Sequence, residues 1–184
     1  MFKLIPWSTE LDLTDFYRIA VKKGFINNAS QKMLVDCFDS EPEKGVWILY
    51  YNDIAVGSVA AHTFDIMGEN CYRIAARTCV FTDMIPYGTL RTRNQIVTHQ
   101  HVTSQFLIPA CIEWAPKGSR LFISSTDSDL GTQRLVHRIF GPAMASTGQM
   151  QKIGDVVYRN TNQTIWELFP DKFMSELAKY PRWV

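Results

Sequence analysis

The segment from Val46 to Phe64 constrains the fold of this chain more than any other. It is an apolar run, VWILYYNDIAVGSVAAHTF, broken at Asn52-Asp53. A short polar turn between two β-rich runs is typical of a β-hairpin. A third β-rich run, Tyr72 to Thr82, follows. We therefore predict an antiparallel three-stranded meander, whose faces need helices to cover them.

The segments on either side of the meander can supply those helices. Phe2 to Trp7 predicts a first strand, and Ser8-Thr9 can cap a helix whose apolar residues recur at helical spacing up to Gly24. A second helix is predicted from Ser30 to Phe38. The elements predicted after the meander are a long loop from Asp83 to Gln100, a helix from His101 to Trp114 containing Pro109, a strand from Leu121 to Ser125, a helix from about Gly131 to Met144, a hairpin of Lys152–Tyr158 and Thr164–Phe169, and a last helix capped by Asp171.

Composition indicates a single globular domain spanning residues 1–184. The chain is 46% hydrophobic and 20% charged, with a formal net charge of +1, so it has no charge excess with which to hold nucleic acid. No apolar window is long enough to cross a bilayer. The first residues, MFKLIPWSTELD, lack the apolar centre of a signal peptide. We therefore expect a cytoplasmic protein with neither a nucleic-acid nor a membrane partner.

Neither the cysteines nor the histidines predict a metal site. His99 and His101 would share a face of an extended segment, but in a helix they diverge by about 200°. No third ligand is evident near them, so we interpret them as surface residues at a helix N-terminus. The cysteines show no C-x-x-C spacing and are expected to be free buried thiols. They are Cys37, Cys71, Cys79 and Cys111.

The order of elements resembles that of the GNAT N-acetyltransferase superfamily from Phe2 to Phe169. Tyr51 to Gly57, YNDIAVG, resembles the family's turn between its second and third strands, which ends in a glycine. Val156-Val157-Tyr158 and Thr164-Ile165-Trp166 resemble its closing hairpin. The resemblance implies an α/β (α+β) fold in which helices flank a mixed, mainly antiparallel central sheet.

The resemblance also implies a cofactor, acetyl-CoA, in a cleft between the fourth and fifth strands. Its pantetheine arm would bond to the backbone of the fourth strand at Cys79, Val80 and Phe81. The family's glycine-rich phosphate loop is not reproduced, because Asp83 to Asn94 contains one glycine. Arg91 and Arg93 in this loop could bind phosphate through charge-assisted hydrogen bonds instead, and the alternative is that they are solvated.

Catalytic roles follow from the same resemblance. The family's general acid is often a tyrosine in the helix after the fifth strand, but Leu135 to Phe140 contains none. His137 is the candidate acid in its place. Among the acidic residues near the ends of the third and fourth strands, Asp83 is the candidate base. The alternative for Asp83 is a turn or capping residue.

Two arginines in the predicted fourth strand are candidates for binding the acceptor. By the period-two rule Arg73 and Arg77 share one face of that strand. Arginines on an interior face need anionic partners, so the two could bind a carboxylate or phosphate of the acceptor. The alternative is that they pair with Asp or Glu at a sheet edge.

The function expected from these residues is acyl transfer from acyl-CoA to an amine of a small molecule or a protein. The protein would supply positioning and proton transfer rather than a covalent intermediate. The alternative is a GNAT-like domain without catalysis that serves as a binding or assembly module, for which a homodimer is one arrangement.

Overall fold

A computed structural model describes residues 1–8, 10–22, 45–80, 85, 99, 101–126, 140–158 and 160–182, without the side chains of residues 20, 75–80, 125 and 126. The helices predicted around Ser30 and Gly131 lie outside these residues. The described elements are β1 (Phe2–Pro6), α1 (Thr14–Lys22), β2 (Gly45–Tyr51), β3 (Ile54–Thr63), a 3-10 turn (Asp65–Met67), β4 (Cys71–Val80), a π-helical turn (Thr103–Leu107), α2 (Ile108–Trp114), β5 (Arg120–Thr126), α3 (Gly141–Ser146), β6 (Met150–Tyr158), β7 (Thr161–Leu168) and α4 (Pro170–Leu177).

The strands form one seven-stranded sheet in the order β1-β2-β3-β4-β5-β7-β6. Every neighbouring pair is antiparallel except β4 and β5, which are parallel and are connected in the chain through α2. The predicted fold class, a mixed and mainly antiparallel sheet flanked by helices, is confirmed. No helix in the described ranges is long and apolar enough to cross a membrane.

The hairpin predicted at Asn52-Asp53 is confirmed. Both residues have left-handed backbone angles, φ 48° and 64°, and Tyr51 pairs with Ile54 across them. Two consecutive left-handed residues define a type I′ turn, which matches the twist of the strands it joins, and Asn and Asp tolerate that conformation.

Two predicted helix starts are wrong. Helix α1 begins at Thr14, where the Asp12 carboxylate accepts a hydrogen bond from the backbone N–H of Thr14, at 3.0 Å. Ser8 lies well before that start. Helix α4 begins at Pro170, and Asp171 lies within its first turn rather than capping it. Proline is favoured there because the first helical N–H has no partner within the helix.

Helices cover both faces of the sheet. The main core lies under α2, α3 and α4, and we call this the helix-rich face; it includes Ile74, Ile123 and Trp166. On the opposite face Phe16 of α1 and Leu13, which precedes the helix, pack onto β2 and β3. A smaller cluster on that same face consists of Phe64, Cys71, Phe122 and Ile165. Cys71 and Cys111 are buried free thiols, as predicted.

Candidate functional site

The sheet divides between β4 and β5. These strands pair only where Cys71–Ile74 lie beside Arg120–Ile123. Beyond that point β4 continues to Val80 beside β3, whereas β5 continues to Thr126 beside β7. Within the described lengths of the two strands no further pairing joins them. We call this divergence of β4 and β5 beyond Ile74 and Ile123 the fork.

Two bulges in β4 accompany the fork. The pairing with β3 shifts twice, so that β4 contains two more residues than the stretch of β3 it faces. Successive residues on one face of β3 are two positions apart, but the β4 residues opposite them are three positions apart. The pairs are Ser58 with Cys79, Ala60 with Ala76, and His62 with Arg73. Strict alternation, on which we placed Arg73 and Arg77 on one face, is thus wrong for β4.

A buried polar network lies at the base of the fork. Arg73 on β4 donates from Nε to Ser124 Oγ on β5, at 2.6 Å, and from Nη2 to Gln163 Oε1 on β7, at 3.1 Å. Ser124 Oγ in turn donates to Gln163 Oε1, at 2.7 Å. Ser124 and Gln163 are each only 3% exposed. The network thus joins β4, β5 and β7 at the point where β4 and β5 diverge.

The surroundings of Arg73 differ from the sheet-edge ion pair considered above. Strand β4 is in the middle of the sheet, so the expected edge position is wrong. The described partners of the guanidinium are uncharged, and its carbon Cζ lies 5.4 Å from the centre of the Tyr158 ring. Hydrogen bonds from a charged donor are about twice as strong as neutral ones, and a cation over an aromatic ring adds further attraction.

His62 lies beside this network on β3, directly opposite Arg73. Its ring is 4% exposed, and Nδ1 is 2.6 Å from the carbonyl oxygen of Thr63. Since a carbonyl oxygen only accepts, this contact assigns the proton to Nδ1 and makes Nε2 the basic nitrogen. His62 thus lies on the face of the sheet that carries Arg73 and Ser124.

The acidic residues Asp65 and Glu69, which follow the end of β3, are not close to the fork. Asp65 lies in the 3-10 turn and Glu69 in the turn that follows, and both are exposed. They precede the first residue of β4, whereas the fork opens towards its last. Neither is therefore placed to act as a base at the fork.

The structure describes only part of the predicted site. Cys79 and Val80 lie on the stretch of β4 beyond Ile74, where they pair with Ser58 and Gly57 of β3. The side chain of Arg77 is not described. The site residues that fall outside the described ones are Phe81, Asp83, Arg91, Arg93 and His137.

Sequence reasoning missed Ser124 and Gln163 as members of the site. The available signal was a hydroxyl following the apolar residues Leu121-Phe122-Ile123, since a buried polar group requires a partner.

The expectation that His99 lies on the surface is also wrong. His99 is 1% exposed, its Nε2 is 2.5 Å from Gln149 Oε1, and its ring packs edge-on against Phe173. His101 Nδ1 accepts a hydrogen bond from the backbone N–H of Thr103, at 3.2 Å. Burial lowers the pKa of both imidazoles, that of His101 to about 4. No group of three or more potential metal ligands occurs among the described residues.

Comparison with solved structures shows which fold this is. AAC(6')-Ib, an aminoglycoside acetyltransferase solved with coenzyme A and kanamycin, aligns with a TM-score of 0.60 and 10% identity over 95% of this chain and 98% of that one. FeeM, an N-acyl amino acid synthase from uncultured soil microbes, aligns with a TM-score of 0.55 and 9% identity over 98% and 99%. A GNAT family acetyltransferase from Elizabethkingia anophelis, with acetyl-CoA bound, aligns with a TM-score of 0.50 and 12% identity over 91% and 97%.

These similarities show that the chain has the GNAT fold, as the order of its elements indicated. At identities of 9–12% they show the fold alone. No protein-family model matches the sequence, and no curated protein matches it.

Proposed function

We propose that this protein transfers an acyl group from acyl-CoA, with acetyl-CoA as the first candidate donor, to an amine of a small molecule or a protein. The fork is the observation that carries the proposal. It opens beyond the carboxyl ends of the parallel pair, which is where open sheets with parallel strands bind ligands. Structures of the same fold solved with coenzyme A or acetyl-CoA support this reading.

The backbone of β4 fits the pantetheine arm of such a donor. Peptide groups of a strand point alternately to its two sides, and beyond Ile74 the described pairing of β4 is with β3. Peptide groups on the fork side can therefore bond to the amides of pantetheine, and we assign this role to Cys79, Val80 and Phe81. When bound, acyl-CoA supplies an acyl group activated as a thioester.

Four side chains complete the proposed chemistry. Arg91 and Arg93 bind the phosphates of the donor. Asp83 takes a proton from the acceptor amine, and His137 holds the proton that the leaving sulfur receives. Positioning the amine against the thioester supplies the rest of the acceleration, so no covalent enzyme intermediate is needed.

The acceptor that suits the arginines is an amine that also carries a carboxylate. We assign Arg77 to this carboxylate, since a guanidinium binds carboxylates through paired, charge-assisted hydrogen bonds. Arg73 donates from Nε and Nη2 to Ser124 and Gln163, so it adds positive charge beside the acceptor rather than a paired contact. The fold accommodates such acceptors, because FeeM is an N-acyl amino acid synthase. A polycationic amine such as kanamycin would be repelled by the same arginines.

Calorimetric titration with acetyl-CoA tests the donor. Arg91→Ala with Arg93→Ala should weaken binding by about 1.5–3 kcal/mol for each charge-assisted bond lost, with little change in melting temperature. Lys117→Ala with Lys179→Ala is the matched control, because it removes two positive charges from exposed positions in turns after α2 and α4. Absence of both heat and thermal shift at millimolar acetyl-CoA would remove the proposal.

Release of free coenzyme A tests the acceptor. We expect turnover with free amino acids and little with kanamycin. Arg77→Ala should raise the KM for the amino acid and leave the affinity for acetyl-CoA unchanged. An equal loss of donor affinity in Arg77→Ala and in the Arg91/Arg93 variant would contradict this division of roles. Binding of acetyl-CoA without turnover of any amine would favour the non-catalytic alternative.

A further inference from the structure

Strand β6, Met150–Tyr158, forms one edge of the sheet. Two of its apolar side chains are exposed, Ile153 at 41% and Val157 at 70%. An edge strand can pair with a strand of another chain, and charged residues on the edge decide which pairings are allowed. The charged residues described in β6 are Lys152 and Asp155, and both are exposed.

A bulge places these two charges on the same face of the strand. Lys152 is opposite Trp166 of β7, Gly154 is opposite Ile165, and Ile153 is the extra residue between them. Asp155 is opposite Thr164. Trp166 and Thr164 are two apart on a strand that runs regularly here, so they share a face. Lys152 and Asp155 therefore share a face too, although they are three residues apart.

We propose that two copies of this chain pair through β6, antiparallel, around a two-fold axis that passes between Ile153 and Gly154. The paired strands join the two sheets into one. Each Lys152 then lies opposite the partner's Asp155, so that a single charge pair is repeated twice by the symmetry. The inference rests on β6 and is independent of the proposed function.

The bulge restricts the registers that such a pair can adopt. Residues directly opposite each other must lie on the same face, and a slip by one residue breaks this rule along the whole strand. A slip by two residues in either direction brings Lys152 opposite Ile153 or Val157 of the partner, both uncharged. The register centred between Ile153 and Gly154 brings opposite charges together at both ends of the bulge.

The space beside Gly154 fits the same register. Gly154 has a φ of 149°, and an added Cβ would have no atom within 4 Å among the described residues. The partner's Ile153 lies opposite Gly154 in the proposed pair and can occupy this space. Exposed Val157 lies opposite the partner's Met150, which is also on the helix-rich face of the sheet. Both exposed apolar side chains of β6 are thus covered in the dimer.

The two charges are available for the pairing. Asp155 Oδ1 accepts a hydrogen bond from Thr164 Oγ1, at 2.5 Å, and its second oxygen projects from an exposed side chain. Lys152 makes no ion pair with any of the described residues. Opposite charges directly across an antiparallel pair are favourable and like charges there are unfavourable.

Sedimentation velocity on charge-reversal variants tests the proposal. The wild-type chain should dimerise, and Lys152→Asp or Asp155→Lys alone should raise the dimer dissociation constant by about tenfold or more, because each creates two like-charge pairs. The double variant, K152D with D155K, should restore the dimer. Lys117→Asp, on an exposed turn outside the sheet, is the matched control and should leave the dimer unchanged.

Mixing the two single variants gives the sharpest test. In an equimolar mixture of K152D and D155K every pair of opposed residues is again of opposite charge, so a heterodimer should form from two chains that are monomeric alone. Formation also shows that both variants are folded. A wild-type chain that stays monomeric at high concentration, single variants that dimerise as the wild type does, or a mixture that stays monomeric would each overturn the proposal.

Discussion

Ser124 connects a charged side chain to a neutral one at the base of the fork. Its hydroxyl accepts from Arg73 and donates to Gln163, so both its hydrogen-bonding roles are used inside the sheet. A buried donor or acceptor that loses its partner destabilises the folded state by more than a typical hydrogen bond contributes. Removing the Ser124 hydroxyl should therefore destabilise the folded state mainly because Arg73 and Gln163 would lose a buried hydrogen-bond partner.

Ser124→Ala should lower the free energy of unfolding by about 1–3 kcal/mol, because the Arg73 Nε–H then loses a buried acceptor. Urea denaturation measures the change. Ser119→Ala is the matched control, since the Ser119 hydroxyl also donates a hydrogen bond, to the Pro116 carbonyl at 2.6 Å, but is exposed. We expect the control to change stability by less than about 0.5 kcal/mol. Equal losses in the two variants would contradict the role of burial.

The sequence indicated Arg73 but neither of its partners, and the reason is physical. An arginine in an apolar strand is conspicuous because its charge must be satisfied. Ser124 and Gln163 become neighbours only because β7 inserts between β5 and β6 in the sheet. That order is a property of the whole topology, and no local pattern of residues encodes it.

Among the elements, those controlled by local chemistry were predicted well. The Asn52-Asp53 turn and its two strands follow from residues that tolerate left-handed backbone angles. The start of α2 was harder to predict. A π-helical turn, Thr103–Leu107, precedes it, and Pro109 then falls in the first turn of α2, where its missing N–H has no consequence.

The segment before this π-helical turn should make stability depend on pH. Burial lowers the pKa of His101 to about 4, below the value of about 6.5 expected when the chain is unfolded. The unfolded chain then binds the proton more readily, so stability is complete above pH 6.5 and falls as the pH decreases towards 4. The loss from His101 is at most about 3 kcal/mol.

His101→Asn isolates this contribution, because the amide oxygen of asparagine can still accept the Thr103 N–H but does not titrate in this range. Unfolding free energies of the wild type and the variant, measured from pH 7 to pH 4, should diverge as the pH falls, with the variant losing less. Parallel curves would show that His101 does not carry the effect. His99, whose pKa burial also lowers, remains in both proteins and contributes equally to each.

At the scale of the whole molecule, one core links elements from both ends of the described chain. It includes Phe2 of β1, Trp166 of β7 and Leu177 of α4. A core shared in this way favours unfolding as one unit. The prediction of a single domain over residues 1–184 therefore implies that the chain unfolds in a single cooperative transition.

Thermal unfolding followed by far-ultraviolet circular dichroism and by tryptophan fluorescence should give one coincident transition at a fixed protein concentration. Fluorescence is informative because Trp47 and Trp166 belong to the same core but lie on β2 and β7. Two separate transitions would show that the chain contains more than one cooperative unit.

The order of elements, through the resemblance it carries, was enough to predict a mixed, mainly antiparallel sheet. The bulges in β4 and β6 were not predicted. A bulge is defined by the strand it faces, so a rule applied to one strand at a time cannot find it. The period-two rule consequently does not relate the face of Arg77 to that of Arg73, although both belong to β4 as predicted.

The fork also has a consequence for the order of folding. The β2–β4 meander and the β6–β7 hairpin close short loops, whereas β5 joins them through pairings that span about fifty and about forty residues of chain. Long loops have larger closure entropies, so such contacts form more slowly. Arg73 comes from the meander, Ser124 from β5 and Gln163 from the hairpin. The base of the fork is therefore assembled only when these three separately formed parts meet, and the candidate site is completed by the last stage of folding.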